Sequence, residues 1–272
     1  MKILVTVKRI PDPDASLKFA NGAIDTSAAK WVPNEFDQYA VETALRLAED
    51  AKSKKRHAEI VVCSVCPAKQ RQHITTFLAM GADRGICVDA DDTALDSQSI
   101  AKLIAGVFKK EEADLLICGK LSQDSEGNEV GQRVAGLLGA PIASFAGGVS
   151  LDQGSKTLQV QREVDDGVET KKIPMPSVIT CDLRVVLPSS VKNGVTPDDF
   201  TYNEGPRLAS LRGITMAKRK KVEQLAPADL GVDAANAIAN SGVNPPPARA
   251  AGQIVETVEQ LVEKLATEAK VL

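Results

Sequence analysis

Large aromatic side chains are scarce in this chain: one Trp, two Tyr and six Phe make up 3% of 272 residues. Nine rings do not supply the stacking platform that single-stranded nucleic acid requires, which argues against a nucleic-acid partner. An excess of one charge is also lacking. Thirty-three Lys and Arg against 36 Asp and Glu leave a net charge of −3, which argues against general polyanion binding. No apolar run reaches the roughly 18 residues of a membrane span, so no membrane insertion is expected. The opening residues Met1–Lys8 carry too short an apolar run for a secretory segment and lack the Arg- and Ser-rich character of a transit peptide. The expectation is a cytoplasmic protein in a reducing compartment.

Histidine is nearly absent, with only His57 and His73, so Ser-His or Cys-His nucleophile chemistry is poorly supplied. Neither histidine has a His partner at metal-binding spacing, and no metal site is predicted. The five cysteines, Cys63, Cys66, Cys87, Cys118 and Cys181, are an odd number, which argues against a disulfide framework. Cys63 and Cys66 do have CxxC spacing. Yet Cys63 closes the apolar run Glu59–Cys63 and no second CxxC follows, so the pair reads as structural.

What is present is a regular alternation. Hydrophobic residues make up 43% and charged residues 25%, the balance of a folded globular chain. Strands are predicted at Ile3–Val7, Ile60–Val65, Arg84–Val88, Asp114–Cys118 and Ile142–Phe145, with helices between them at Glu35–Lys52, Lys69–Met80, Ser97–Lys110 and Asn128–Leu138. Repeated βαβ units give an α/β fold, a doubly wound, mostly parallel sheet. After Gly147 the period falls to two. Val149–Leu151, Leu158–Val164 and Val168–Ile173, with Asp165-Asp166-Gly167 as the turn, predict an antiparallel hairpin attached to that sheet, and Ser177–Thr180 a further strand.

From Leu187 to Gly205 the pattern is lost and an exposed loop is predicted, followed by a helix-like stretch bearing Lys218-Arg219-Lys220-Lys221. The domain is expected to span residues 1–240. An arm over 241–272 would be stiffened by Pro245-Pro246-Pro247 and end in an amphipathic helix at Thr257–Ala269. That helix must bury an apolar face, against its own domain or against another chain.

Doubly wound sheets bind ligands beyond the carboxyl ends of their strands, where strand order reverses. Lys8-Arg9-Ile10-Pro11 after the first strand is no dinucleotide glycine loop, and Gly119-Lys120 is followed by Leu121 rather than by the Ser or Thr of a P-loop. The glycine-bearing segment is instead Gly119–Gln132. There a polar loop leads into a helix start whose backbone N–H groups suit a phosphate. Gly127 permits close approach, Asn128 can cap the helix or touch an anion, and Asp124 is a candidate ribose partner. From spacing alone such a loop of Ser, Asp, Asn and Gly reads more often as a bare connection than as a ligand site.

Other segments carry a resemblance. Val160-Gln-Arg162-Glu163-Val164-Asp165-Asp166-Gly167-Val168-Glu169, followed by Pro174-Met-Pro176-Ser-Val-Ile-Thr180, resembles the signature of electron transfer flavoprotein β subunits. Val7-Lys8-Arg9, Ala79-Met80-Gly81-Ala82-Asp83-Arg84-Gly85, Asp182-Leu183-Arg184 and Asp229-Leu230-Gly231-Val232 agree in order, so the resemblance covers essentially the whole chain. It implies a nucleotide-α-hydrolase-like fold without enzymatic activity. The expected protein is an electron carrier subunit paired with an α subunit that holds the redox-active FAD near the interface.

By the same resemblance a structural AMP would touch Thr6, Asn34, Glu35, Phe36, Asp37 and Val65. It would also meet Gly119, Asp124, Ser125, Gly131 and Gln132, with its phosphate near Asn128, Glu129 and Val130. Glu129 places a carboxylate beside that phosphate, which is tolerable if its N–H binds and its side chain turns away. A bifurcating branch of the family holds a second FAD in this position. Gly127-Asn128-Glu129-Val130-Gly131-Gln132 resembles the AMP-holding branch instead.

A docking loop is expected over about 187–216. Pro206–Leu211 resembles the family's recognition loop, with Leu211 as the apolar anchor and Arg207 and Lys218 beside it. The stretch 187–205 is longer than the family pattern. The implied partners are flavin dehydrogenases such as the acyl-CoA dehydrogenases of fatty acid oxidation, and a membrane quinone oxidoreductase.

Overall fold

The computed structural model describes the whole chain apart from Leu17, Asn21, Asn240, Ser241 and Ala250. Its contacts divide it into two units, Met1–Leu17 with Thr26–Asn240, and Lys18–Asp25 with Ser241–Leu272. The boundary expected between residues 240 and 241 therefore falls on residues outside the described set. The same holds for the first residue of the linker before the prolines.

The larger unit is built on seven parallel strands: β1 (Lys2–Thr6), β2 (Glu59–Val65), β3 (Arg84–Val88), β4 (Leu115–Gly119), β5 (Ile142–Ala146), β6 (Ser177–Cys181) and β7 (Val222–Leu225). They lie in the order β7-β3-β2-β1-β4-β6-β5. Helices α1 (Glu35–Ala48), α2 (Gln72–Met80), α3 (Ser97–Glu111), α4 (Val130–Leu138) and α5 (Leu211–Ala217) connect or flank them.

Alternation along the strands divides the core. Ile3 and Val5, Ile60 and Val62, and Leu115 and Ile117 pack with α1 and α2 on one face. Leu4, Val61, Cys63, Leu116 and Cys118 pack with α3 and α4 on the other. Successive strand residues point to opposite faces, so strands that read as continuous apolar runs must be covered on both sides. Each fully buried Leu or Ile contributes about 1.5–3 kcal/mol by leaving water. All five cysteines are buried and free; Cys63, Cys87, Cys118 and Cys181 lie within strands and Cys66 directly follows β2.

The chain runs from β1 through β2 to β3 on one side of the sheet, then returns to place β4 on the other side of β1. Strand order thus reverses between β1 and β4, and the carboxyl ends of these two strands are where a doubly wound sheet would take a ligand. No helix among the described residues is long and apolar enough to cross a membrane.

Several expectations need correction. The hairpin is not attached to the parallel sheet. Thr157–Val164 and Gly167–Pro174 join Gly148–Asp152 and Val191–Lys192 in a separate four-stranded sheet. Its inward residues Val149, Leu151, Leu158, Val160 and Ile173 enter the α1–α2 side of the core. Residues 187–205 are not a loose exposed loop, because they contain the strand Val191–Lys192 and the buried Asn193.

The helix-like stretch before the basic run ends at Ala217, and the edge strand β7 follows it unpredicted. Helix α4 begins at Val130 rather than Asn128, because Asn128 adopts a left-handed φ of 46°. Helix α1 ends at Ala48, four residues early, where Asn193 takes up the carbonyls of Arg46 and Glu49.

In the smaller unit, Lys18–Ala20 pairs with Ala23–Asp25, a hairpin the sequence pattern did not reveal, and Val243 N–H donates to Gly22 O at 3.0 Å. Helix α6 (Val258–Thr267) starts at Thr257, whose hydroxyl accepts the Gln260 N–H at 3.2 Å. Val258, Leu261 and Val262 on it are exposed.

Candidate functional site

The ends of β1 and β4, the start of α1 and the segment that leads into α4 meet at the carboxyl edge of the sheet. Asn34 stands at the N-cap of α1, where an Asn side chain ordinarily caps its own helix. Here it binds the opposite wall instead. Its Nδ2 donates to Leu121 O at 3.0 Å, and its Oδ1 accepts the Gln123 N–H at 3.2 Å. Gln123 Oε1 in turn accepts the Glu35 N–H at 3.2 Å.

Asp37 lies one turn inside α1 and is buried. Its Oδ2 accepts the Lys8 N–H at 2.7 Å, and the Gly119 N–H also supports it, so one carboxyl joins the ends of β1 and β4. Burial pushes its pKa up to about 7 against these hydrogen bonds. A Cβ on Gly119 would sit 2.6 Å from Asp37 Oδ1 and 2.8 Å from Phe36 Cβ, so only glycine lets α1 approach this closely.

The loop itself is held at its near end. Lys8 Nζ donates to Asp124 at 2.7 and 2.8 Å and to the Ser122 hydroxyl at 3.1 Å, and Ser122 and Ser125 share a 3.0 Å hydrogen bond. Lys120 Nζ reaches Asp182 at 2.8 Å beyond β6 and lies over the Phe36 ring. At its far end the loop is backbone-rich. Glu126 and Asn128 both take left-handed φ values, 50° and 46°, on either side of Gly127, whose nearest neighbouring atom would be 3.8 Å from an added Cβ. Non-glycine residues in this region store about 1–3 kcal/mol each and cluster where a backbone has a task to perform.

Helix α4 then starts without a side-chain cap. The first intrahelical bond runs from Arg133 N–H to Glu129 O at 2.9 Å, which leaves the N–H groups of Glu129, Val130, Gly131 and Gln132 without intrahelical partners. The Glu129 carboxylate has turned to Arg133, accepting its Nε–H at 2.8 Å, and a Ser97 hydrogen bond, followed by this pairing, lowers its pKa. Gln132 Nε2 donates to Asn128 Oδ1 at 3.1 Å. Gly131 seats the helix start on β6, since an added Cβ would meet Thr180 Cγ2 at 2.7 Å.

Thr6, Asn34, Glu35, Phe36, Asp37, Gly119, Asp124, Ser125 and Asn128–Gln132 are thus brought to the carboxyl edge at the switch point. Val65 lies at the end of β2, the strand beside β1. Lys8 and Asp182 were not foreseen in the site, and Lys120, Leu121 and Gln123 were foreseen only as part of the Gly119–Gln132 segment. Lys8 was discoverable as the residue just past the first strand. Nothing in the sequence ties Asp182 to Lys120, 62 residues away.

A helix start whose first N–H groups lack intrahelical partners, next to a loop with left-handed backbone, can accept an anion. Among the described residues no cluster of three or more His, Cys, Asp and Glu could hold a metal ion.

The segment expected to dock a partner is also well defined. Leu208 and Leu211 are 94% and 86% exposed, and Lys218, Arg219 and Lys221 are exposed as well. Arg207 turns inward to Glu42 and Glu49, and Lys220 donates to Leu78 O and Ala82 O at 2.9 and 2.6 Å behind α2.

An open parallel sheet whose strand order reverses between β1 and β4 places the molecule among doubly wound α/β proteins. A family model described as "Electron transfer flavoprotein domain" matches residues 21–230. The human electron transfer flavoprotein subunit beta is 39% identical over 270 residues, covering 97% of this chain and 96% of that protein. Its counterpart from Bradyrhizobium diazoefficiens is 38% identical and the mitochondrial one of Arabidopsis thaliana 36%, each covering both chains in full. This chain belongs to the family of electron transfer flavoprotein β subunits.

Proposed function

We propose that this chain is the β half of a heterodimeric electron carrier. Its α partner holds the redox-active FAD, and the carboxyl edge of this chain's sheet holds AMP as a structural ligand. The pair accepts electrons from flavin dehydrogenases, such as acyl-CoA dehydrogenases, and passes them to a membrane quinone oxidoreductase. The chain contributes placement and docking rather than bond chemistry, and it works in the cytoplasm.

The observation that carries the AMP reading is the start of α4. Val130, Gly131 and Gln132 offer N–H groups while the adjacent Glu129 carboxylate is tied to Arg133. These N–H groups would hold the phosphate, Asn128 would border it, and Thr6, Val65 and Asn34–Asp37 would line the nucleoside. Bound there, AMP supplies no reacting atom. It stabilises the folded chain by binding that state alone.

Residues 241–272 act as an arm that clasps the α partner through the exposed apolar face of α6, at Val258, Leu261 and Val262. Docking of donor dehydrogenases rests on Leu211, an apolar side chain held in water beside Lys218 and Arg219.

Denaturing the purified heterodimer and identifying the released nucleotides tests the reading. One FAD and one AMP per heterodimer is the expected result. Two FAD molecules would overturn the AMP assignment in favour of a bifurcating subunit.

A further inference from the structure

The segment 206–221 inverts the usual partition of side chains. Its apolar Leu208 and Leu211 stand in water, whereas two of its cations, Arg207 and Lys220, point into the protein. Hydrophobic burial therefore does not hold the outward leucines in place.

What does hold the segment is a cluster of charges on the second half of α1. Glu42 and Arg46, one turn apart, are almost completely buried, and Arg46 Nε donates to Glu42 Oε1 at 2.8 Å. The other Glu42 oxygen accepts both the backbone N–H and Nε–H of Arg207, at 3.2 and 2.7 Å. Arg207 Nη1 continues to Glu49 Oε1 at 2.6 Å. Two carboxylates thus meet two guanidinium groups. Arg56 stands at the margin, 3.7 Å from Glu49.

Arg46 also gathers the long 187–205 stretch. Its Nη1 donates to Leu187 O at 2.9 Å and its Nη2 to Asn203 O and Gly205 O at 2.9 and 3.2 Å, while its guanidinium lies 4.5 Å from the Tyr202 ring centroid. Asn193, buried in the middle of the stretch, caps α1 by donating to Arg46 O and Glu49 O at 2.9 and 2.7 Å. Residues 187–205 are therefore a strap tied to α1 at both ends and in the middle. It delivers the chain to Arg207 in one position.

Beyond Arg207, the Ser210 hydroxyl accepts the Gly213 N–H at 3.0 Å. Gly213 lies so close to α2 that an added Cβ would be 2.5 Å from Ala79 O.

A buried charge cluster is a poor net source of stability, because desolvation offsets most of the attraction, but removing one partner strands the other, so the groups it joins are held together. We infer that Glu42, Arg46, Glu49 and Arg207 are positioning residues that hold Leu208 and Leu211 in the shape that engages a donor flavoprotein. They lower the ordering cost of docking. This inference rests on the docking role assigned above to Leu211. A segment ordered before encounter binds at its intrinsic affinity. One that is ordered only part of the time binds more weakly in proportion to that fraction.

The test compares Arg207→Gln, Arg207→Lys and Leu211→Ala in the intact heterodimer. It reads KM and kcat for electron transfer from a purified acyl-CoA dehydrogenase, together with FAD and AMP content. Arg207→Gln is expected to raise KM roughly five- to tenfold. The kcat at saturating dehydrogenase and both nucleotide contents should be unchanged. Arg207→Lys keeps the charge but not the fork, and should fall between Arg207→Gln and the parent.

An unaltered KM in Arg207→Gln, beside a raised KM in Leu211→Ala, would overturn the positioning role and leave the docking reading standing. An unaltered KM in Leu211→Ala would overturn the docking reading itself. Loss of FAD or of kcat in Arg207→Gln would reduce the cluster to a purely structural one and so overturn the inference.

Discussion

Helix α1 carries buried polar groups at both of its ends, and the two ends differ in what is left over. At the amino end, Asn34 and Asp37 tie the ends of β1 and β4 to the loop that leads into α4. The neighbouring α4 start still has backbone donors without intrahelical partners. At the carboxyl end, Glu42, Arg46 and Glu49 are saturated by Arg207, by the carbonyls of the strap and by each other. Unused hydrogen-bonding capacity beside a buried polar frame marks a place for a ligand, whereas a closed network marks a place where geometry is being held. The same helix therefore serves two tasks.

The largest expected effect separates the ends by stability. Arg46→Met leaves Glu42 with less compensation in a buried site and should destabilise the heterodimer by about 3–5 kcal/mol in urea unfolding. AMP per heterodimer should be unchanged under native conditions. Loss of AMP in step with stability would mean that the ends are not independent.

A smaller effect is expected at the open end. Gly131→Ala drives a Cβ against Thr180 Cγ2 and should cost about 1–3 kcal/mol while lowering AMP retention on gel filtration. Adding Thr180→Ser removes that methyl but keeps the hydroxyl that accepts the Phe145 N–H at 3.0 Å. The double variant should recover AMP, and failure to recover it would show that the close seat of α4 is not what the ligand needs.

The smallest expected effect is a pH dependence. Asp37 has a folded-state pKa of about 7, above its ordinary value, so the folded chain takes up a proton that the unfolded chain does not. Its ionised form is penalised fully above pH 7, and stability rises as pH falls through 7 toward 4. His73 acts in the opposite sense, because burial holds its pKa down to about 4 and stability is lost as pH falls below about 6.5. Comparing Asp37→Asn with the parent cancels the His73 contribution. Between pH 8 and 6 the parent should gain roughly 1 kcal/mol relative to the variant in denaturant titrations. Parallel pH profiles would place the buried proton elsewhere.

Much of this molecule was legible in its sequence. Strand β3 and the starts of α1 and α3 fall where the apolar period predicts them. The loop before α4 was visible because a glycine-bearing polar stretch stands between a buried strand and an apolar helix. The short edge strand β7 was hidden, since Val222–Leu225 has one fully buried residue and directly follows a basic run. The strap at 187–205 read as a loop because a buried Asn and a charge-neutralised Arg look the same in sequence as exposed ones.

Local periodicity, strand and helix order and the motifs along the chain determined the fold class and the family, because those properties depend on near neighbours and on which faces must leave water. Only the tertiary structure decided where Glu129 turns, that Asp37 binds two strands at once and that Arg207 faces inward beneath exposed leucines. Each of those outcomes depends on which distant partner is close enough to satisfy a polar group once the core has closed.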